Sequence, residues 1–385
     1  MSFGRSLTLF FCVSATFSGI WACTHASDDP HEIRIGLLAL LQGVSRETSG
    51  LPSIRGAQLA IDAVNERGGV ELGAVPHHVV LIVKGYDDRP DSASSVARAL
   101  INQERIDALI GPQFSRHAIP VAVVAENARM PMLSPMSSNP ATTRGKEFVF
   151  RLAFLDDFQG QVMGHFAVDE LGADRAAVLY DVSTAYGRSL AAAFREAFED
   201  RGGTVVAFES YARDEPRDYE APLDRIREAN PQVLYLPNDT EFVIAQIMQA
   251  REHGIDATLL GGDTWDMERF ALKPECEGSF VAHQWHPDLD TPQARAFVKT
   301  FRETNGKTPK VTAAMTYDTV ALLLRVIENA GSKDPDAIRK GLAGTGEYLG
   351  ATGTIRFRGT PDPMRSVVIS KLHDGRSSLY RVVDP

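Results

Sequence analysis

Cysteine is scarce in this chain. Of the three present, Cys12 lies inside an apolar N-terminal run, Cys23 at its border, and Cys276 alone in the body. No intramolecular disulfide can staple the body, and no cysteine pair has the spacing of a zinc site. Cys276 is expected to be an inert, packed thiol. Positive charge is also in deficit: 40 Lys and Arg against 50 Asp and Glu leave a formal charge of −10. A polyanion would be repelled, and no basic stretch interleaved with aromatics offers a local exception, so nucleic acid is excluded as a partner.

Catalytic signatures are missing too. There is no Walker A run and no G-x-S-x-G elbow. The run "GTGEYLG", Gly344–Gly350, imitates a dinucleotide fingerprint, but its final spacing is wrong and it leads into a strand, so no cofactor is expected. In "HQWH", His283 and His286 follow β-type residues and precede Pro287, which argues for a packed aromatic crossing segment rather than a metal site. Asp87 and Asp88 point to opposite faces of a strand and make a poor acid/base couple; caps for the next helix, or acceptors for backbone N–H groups, are the expectation. No catalytic residue and no metal ligand is assigned.

Long hydrophobic runs are limited to one, "LTLFFCVSATFSGIWA" from Leu7 to Ala22, just after Arg5. It is short for a membrane span and right for the apolar region of a secretory signal. Two cleavage points compete within residues 1–26. "IWAC", Ile20–Cys23, resembles a bacterial lipobox and would make Cys23 a lipidated first residue; the alternative is ordinary cleavage after Ala26. Either way the mature protein is exported, with a lipid anchor as its one expected contact with the membrane.

What the chain has in abundance is alternation. At 385 residues, 44% of them hydrophobic, it has room for two cores. From Ile33, short β-rich runs alternate with helix-period segments: "IRIGLLAL", Ser53–Arg67, "VVLIVKGY", Asp91–Gln103, "ALIGP", Ser115–Arg129 and "PMLSP". This is the pattern of βαβ units around a parallel sheet. The scheme then restarts at "AAVLY". "AVNERGGV" ends the first helix of the first series and "AFEDRGGTV" that of the second, and each series later reaches a strand closing in Pro, "ALIGP" and "VLYLP". After further helices near Pro292–Asn305, Ala313–Ala330 and Pro335–Leu342, the tail reads as strands "GTIRF" and "RSVVISKL" joined by a Gly/Pro-rich turn. The expected fold is α/β, with two doubly wound parallel-sheet lobes and a multi-crossover hinge. Lobe 1 is assigned to 32–155 plus 286–362, and lobe 2 to 156–285 plus 363–385. Several crossings make a hinge, and a hinge implies closure on something.

The stretch "DALIGPQFSRHAIP" suggests on what. A strand ends at Gly111-Pro112, and Ser115 stands where a helix starting at about Arg116 takes its N-cap. In parallel α/β sheets ligands gather beyond the carboxyl ends of strands, where helix N-termini present free N–H groups. The next strand ends in a second hydroxyl-rich turn, "SPMSSNPATT", whose Ser137-Ser138 would face Ser115. Two such turns would cradle one compact anion without a formal positive charge, and a carboxylate fits best.

At this point the sequence resembles a known family. "IRIGLLALLQG", "RGAQLAIDAVNERGGV", "GPQFS", "MLSPMSSNP", "YDVSTAYGRSL" and "MTYDTVALLLRVIENAGSKDPDAIRKGL" are similar to the leucine/isoleucine/valine-binding branch of type I periplasmic binding proteins of ABC importers, from about Ile33 to Val382. The resemblance implies that Ser115 holds a ligand α-carboxylate, with a backbone N–H at Met136 and the hydroxyl of Ser138. It implies a cleft aromatic from the second lobe at Tyr186 and an acidic residue for the ammonium at Asp263. Relatives often carry an aromatic where this chain has Ser49, and a tyrosine where it has Asn238 and Asp239, so the pocket is expected to be more polar or roomier than one built for leucine. Trp265 is either a replacement aromatic wall or a packed core residue; Arg116 and His117 beside Ser115 would admit a more acidic ligand if they face the pocket, but the expectation is that they meet solvent. The implied protein is a non-catalytic periplasmic receptor for an amino acid or related small carboxylate, with an ABC permease as partner. A ligand sensor of the same fold, signalling to a protein partner, is the alternative.

Overall fold

The computed structural model describes residues 29–214 and 217–385; the signal segment, its cleavage point and Cys23 lie outside them. Strands β1 (Glu32–Leu40), β2 (Val70–Leu72), β3 (Val75–Tyr86), β4 (Ala108–Ile110), β5 (Met132–Ser134) and β6 (Val149–Arg151) form one sheet in the order β2-β3-β1-β4-β5-β6. The second contains β7 (Arg175–Asp181), β8 (Thr204–Tyr211), β9 (Val233–Leu236), β10 (Thr258–Gly261) and β11 (Phe280–His283). It runs β8-β7-β9-β10-β11 and is extended at the β11 edge. The parallel part of the first sheet, β3-β1-β4-β5-β6, has the same winding, so the internal repeat read from the glycine-ended helices is a repeat of topology.

The central strands are apolar because both of their faces are covered. Ile33, Ile35 and Leu37 of β1 sit in the core shared with the helices Leu51–Asn65 and Val311–Ala330, whereas Leu38 and Leu40 face the helices Pro90–Asn102 and Ser115–Asn127. The sheets are not wholly parallel. β2 is antiparallel to β3, and β14 (Val367–His373) and β15 (Arg376–Val383) add antiparallel strands beside β11. The expected tail pairing is corrected as well: β13 (Gly353–Ile355) pairs with β12 (Tyr348–Gly350) in a separate hairpin, while β14 crosses to the second sheet.

The helix Asp156–Asp169 carries no amphipathic signal, since it is covered nearly all round. Gln159, Gly160, Val162, Met163, Gly164 and Phe166 are all buried. At Gly160 a Cβ would come within 2.5 Å of the Ala193 methyl, so glycine is what lets this helix press against Ala185–Asp200.

The chain passes between the sheets three times: after β6, after β11, and between the small hairpin and β14. One buried side chain ties these passages. Arg365 donates to the carbonyls of Leu152 (3.1 Å), Gln284 (2.7 Å) and Thr352 (3.1 Å).

Candidate functional site

The turn after β4 is built by Gly111, whose φ of +86° is open to glycine and strained for other residues. The helix then starts at Ser115 itself, with Phe114 at the cap position and no side-chain cap. The expected N-cap role of Ser115 is therefore corrected. Its hydroxyl lies 3.0 Å from Ser137 Oγ and accepts from the Asn139 N–H at 3.4 Å, so it joins the two turns instead of closing the helix. As first-turn residues, Ser115 and Arg116 have no intrahelical acceptor for their N–H groups. Ser134 Oγ donates to Pro112 O (2.7 Å) and receives the Ser137 N–H (3.2 Å). Beneath them Arg151, fully buried, donates to Ser137 O (2.8 Å) and Thr143 Oγ1 (2.6 Å), with Asp362 as its counter-ion.

These turns form one wall of a cavity of about 470 Å³ between the sheets. The opposite wall comes from the carboxyl ends of β7, β9 and β10, and it is where the acidic groups lie. Asp239 accepts from Arg116 Nη1 across the cleft and from Arg213 Nη2, both at 2.8 Å. Burial pushes its pKa up, but the two guanidinium groups outweigh that and hold it below the usual range. Asp181 pairs with Arg213 Nε at 2.9 Å, and Asp266 with Lys310 at 2.9 Å.

Asp263 differs. Its oxygens accept only from neutral donors, the Tyr186 hydroxyl at 3.0 Å and Gln284 Nε2 at 2.8 Å. Burial pushes its carboxyl up to about 6 against those hydrogen bonds. The Tyr186 hydroxyl is itself raised well above its ordinary value by burial and the adjacent carboxylate. Among the described residues, Asp263 is the one buried acidic side chain of the cavity lining without a basic partner.

All eight sequence-derived candidates, Ser49, Ser115, Met136, Ser138, Tyr186, Asp239, Asp263 and Trp265, line this one cavity. Trp265 is a wall locked into the core: it stacks on Phe270 at 4.6 Å and donates Nε1–H to Leu236 O at 3.1 Å. The solvent-facing expectation for Arg116 and His117 is corrected. Arg116 bridges the walls, and His117, fully buried, lies 2.9 Å from Asp88 and 3.3 Å from the Tyr86 hydroxyl. Asp88 thus pairs with Arg116 and His117 instead of capping the next helix, whose cap position is Arg89. Gln113, Arg213 and Gln284 were not singled out in the sequence; no local pattern marks them, because their partners lie between 21 and 203 residues away. His283 ends β11 and Trp285 packs on Phe297, as expected of a crossing segment. Cys276 is buried, its thiol pushed up to about 12 by burial.

Two sheets of the same winding, with a cavity between their carboxyl edges lined by both apolar and charged side chains, define a two-lobed solute-binding protein. The chain belongs to the periplasmic binding protein family, whose sequence model matches residues 32–375, and within it to the leucine/isoleucine/valine-binding proteins of ABC transporters. It is 30% identical over 287 residues to an amino acid binding protein of Pseudomonas aeruginosa, covering 73% of this chain and 74% of that one. Among solved structures it is similar to a leucine binding protein, LivK, of Thermotoga maritima, with 30% identity, a TM-score of 0.85 and coverage of 92% and 99%. It is also similar to the branched-chain amino acid transporter substrate binding protein LivJ of Streptococcus pneumoniae, in complex with isoleucine, with 25% identity, a TM-score of 0.83 and coverage of 92% and 100%. Members of this family bind solutes outside the cytoplasm and do not catalyse a reaction. No helix among the described residues is long and apolar enough to cross a membrane.

Proposed function

We propose that this protein closes around an amino acid and delivers it to the permease of an ABC importer. The observation that carries the reading is Asp263: a buried carboxylate with only neutral donors, across a cavity from two turns rich in hydroxyl and N–H groups. Burying a charge without a counter-ion is costly. A ligand ammonium supplies the counter-ion, and the same ligand's carboxylate takes the donors of Ser115, Met136 and Ser138. Tyr186 would close over the ammonium from the second lobe. A zwitterion touching both walls binds the closed form better than the open one, and that difference is what drives closure. Export follows from the N-terminal signal, and Cys23 is the proposed lipidation point; intact mass of the native product would show either the lipid or a start after Ala26.

The test is thermal unfolding of the mature protein, refolded after denaturation to strip any bound ligand and then scanned with the proteinogenic amino acids and small carboxylates. A ligand at a hundred times its Kd adds about 2.7 kcal/mol. One amino acid class should stabilise the protein, and Ser115→Ala or Asp263→Ala should remove the effect. Stabilisation by carboxylates lacking an amine, unchanged in Asp263→Ala, would sink the ammonium assignment.

A further inference from the structure

Resting on that reading, we infer that Gln284 is the positioning residue of the ammonium seat: its amide holds the Asp263 carboxylate ionised and in the pose the ligand meets. Gln284 is fully buried and lies outside the cavity lining, so it acts through Asp263 and not on the ligand. The inference comes from the direction of two hydrogen bonds. Gln284 Oε1 accepts from the Phe154 backbone N–H at 3.2 Å, and Nε2 donates to Asp263 Oδ2 at 2.8 Å. A backbone N–H can only donate, so the amide oxygen faces Phe154 and the NH2 faces Asp263. The reversed amide would set donor against donor at Phe154 and oxygen against oxygen at Asp263. Phe154 follows β6 and Gln284 follows β11, so two separate passages between the sheets fix this donor before any ligand arrives.

The direction matters for the proton. A proton on Asp263 Oδ2 would meet the Gln284 N–H head on, so the neutral acid must carry its proton on Oδ1, toward the Tyr186 hydroxyl 3.0 Å away. That hydroxyl accepts as readily as it donates and serves either form of the acid. The Gln284 amide serves Oδ2 only while that oxygen is free of a proton. A hydrogen bond that the ionised form accepts best favours that form. Burial and the neighbouring Asp239 push the other way. Asp156, from the helix Asp156–Asp169, and the Tyr235 phenol of β9 also face Asp263, and neither brings a positive charge. Without the Gln284 donor the acid would keep its proton to higher pH and offer an ammonium a neutral partner. The donor belongs to a buried residue, so the ligand does not displace it on binding.

The experiment is a carbon NMR titration of the Asp263 carboxyl in the stripped mature protein, the resonance assigned by its loss in Asp263→Asn, repeated on Gln284→Met and Gln284→Glu. In Gln284→Met the midpoint should rise by about one pH unit. Gln284→Glu keeps an acceptor for Phe154 but replaces the donor by an oxygen. The two acids then share a proton, and the upper midpoint of the pair should rise by about two units. This variant keeps the test decisive if Gln284→Met does not fold. Calorimetry with L-leucine, L-glutamine and L-glutamate, each beside its analogue lacking the amine, reads the consequence for binding. Gln284→Met should weaken the amino acids about tenfold near pH 6 and by much less near pH 8.5, and should leave the amine-free analogues unchanged. An unmoved midpoint in both variants would overturn this inference and leave the amino-acid reading standing. A loss equal at both pH values, or shared by the amine-free analogues, would overturn it as a merely structural role. Wild-type protein that binds the analogues as tightly as the amino acids would overturn the ammonium reading, and this inference with it.

Discussion

Asp239 and Asp263 stand at the ends of neighbouring strands in the same sheet and face the same cavity, yet their surroundings are opposite. Asp239 holds two guanidinium groups, one from each wall, and its charge is spent inside the protein. Asp263 holds a phenol and an amide, and its charge is not. A buried carboxylate with cationic partners is a fastener; one on the cavity wall with neutral partners alone keeps its charge available to a ligand. Counting acids in the cleft would have rated the two alike. Only the partners tell them apart.

The comparison can be broken at its two members directly. Asp239→Asn should destabilise the ligand-free protein by about 2 kcal/mol, since removing one member of a mostly buried ion-pair group leaves Arg116 and Arg213 short of a partner. Asp263→Asn should act in the other direction, stabilising the ligand-free protein at pH 7 by about 1 kcal/mol, because it removes a buried charge that only neutral groups solvate. Both follow from denaturant titration of the stripped protein. Two losses of equal sign would erase the distinction.

Proton titration sharpens it. The Asp263 carboxyl titrates at about 6, above its ordinary value, so its contribution to ligand-free stability is full below about pH 4 and is lost as pH rises through about 6. An ammonium ligand requires the ionised form, so its Kd should rise about tenfold for each pH unit below 6, a slope that Asp263→Asn abolishes. Asp156, raised to about 7 by burial, titrates with the same sign and remains in that variant. A smaller effect is expected at the fastener: Arg116→Ala frees one wall from the other and should weaken the ligand about fivefold, chiefly through faster dissociation seen in stopped flow. The smallest is at Cys276, whose burial predicts no labelling by a thiol reagent until the protein unfolds.

Much of this architecture was legible in the sequence because it rests on local chemistry. Apolar runs closing in Gly-Pro or Pro mark strand ends, and paired glycines mark helix ends, so the repeat and its winding could be read. The turns after β4 and β5 could be named for the same reason, whereas Met136, Tyr186 and Asp263 came from the resemblance to the family. The rest depended on contacts far apart in the chain. A serine before a helix usually caps it; here the partner that claims the Ser115 hydroxyl, Ser137, comes from the next strand's turn. Nothing near Arg116 and His117 in sequence calls for a charge, and Asp88 and Asp239 reach them only through the fold. The helix Asp156–Asp169 was invisible to periodicity because a helix covered on nearly all sides has no polar face to define one.

Arg365 gives the three passages between the lobes a shared point of attachment. A planar cation that holds three carbonyls cannot follow one of them without dragging the others. The passages are therefore fastened to one another at a single buried point. The Gln284 whose carbonyl is held there also donates to Asp263 through its side chain. Gln284 thus links the point that fastens the passages to the proposed seat of the ligand's cation, so opening the cleft there is expected to disturb the grip on the ligand.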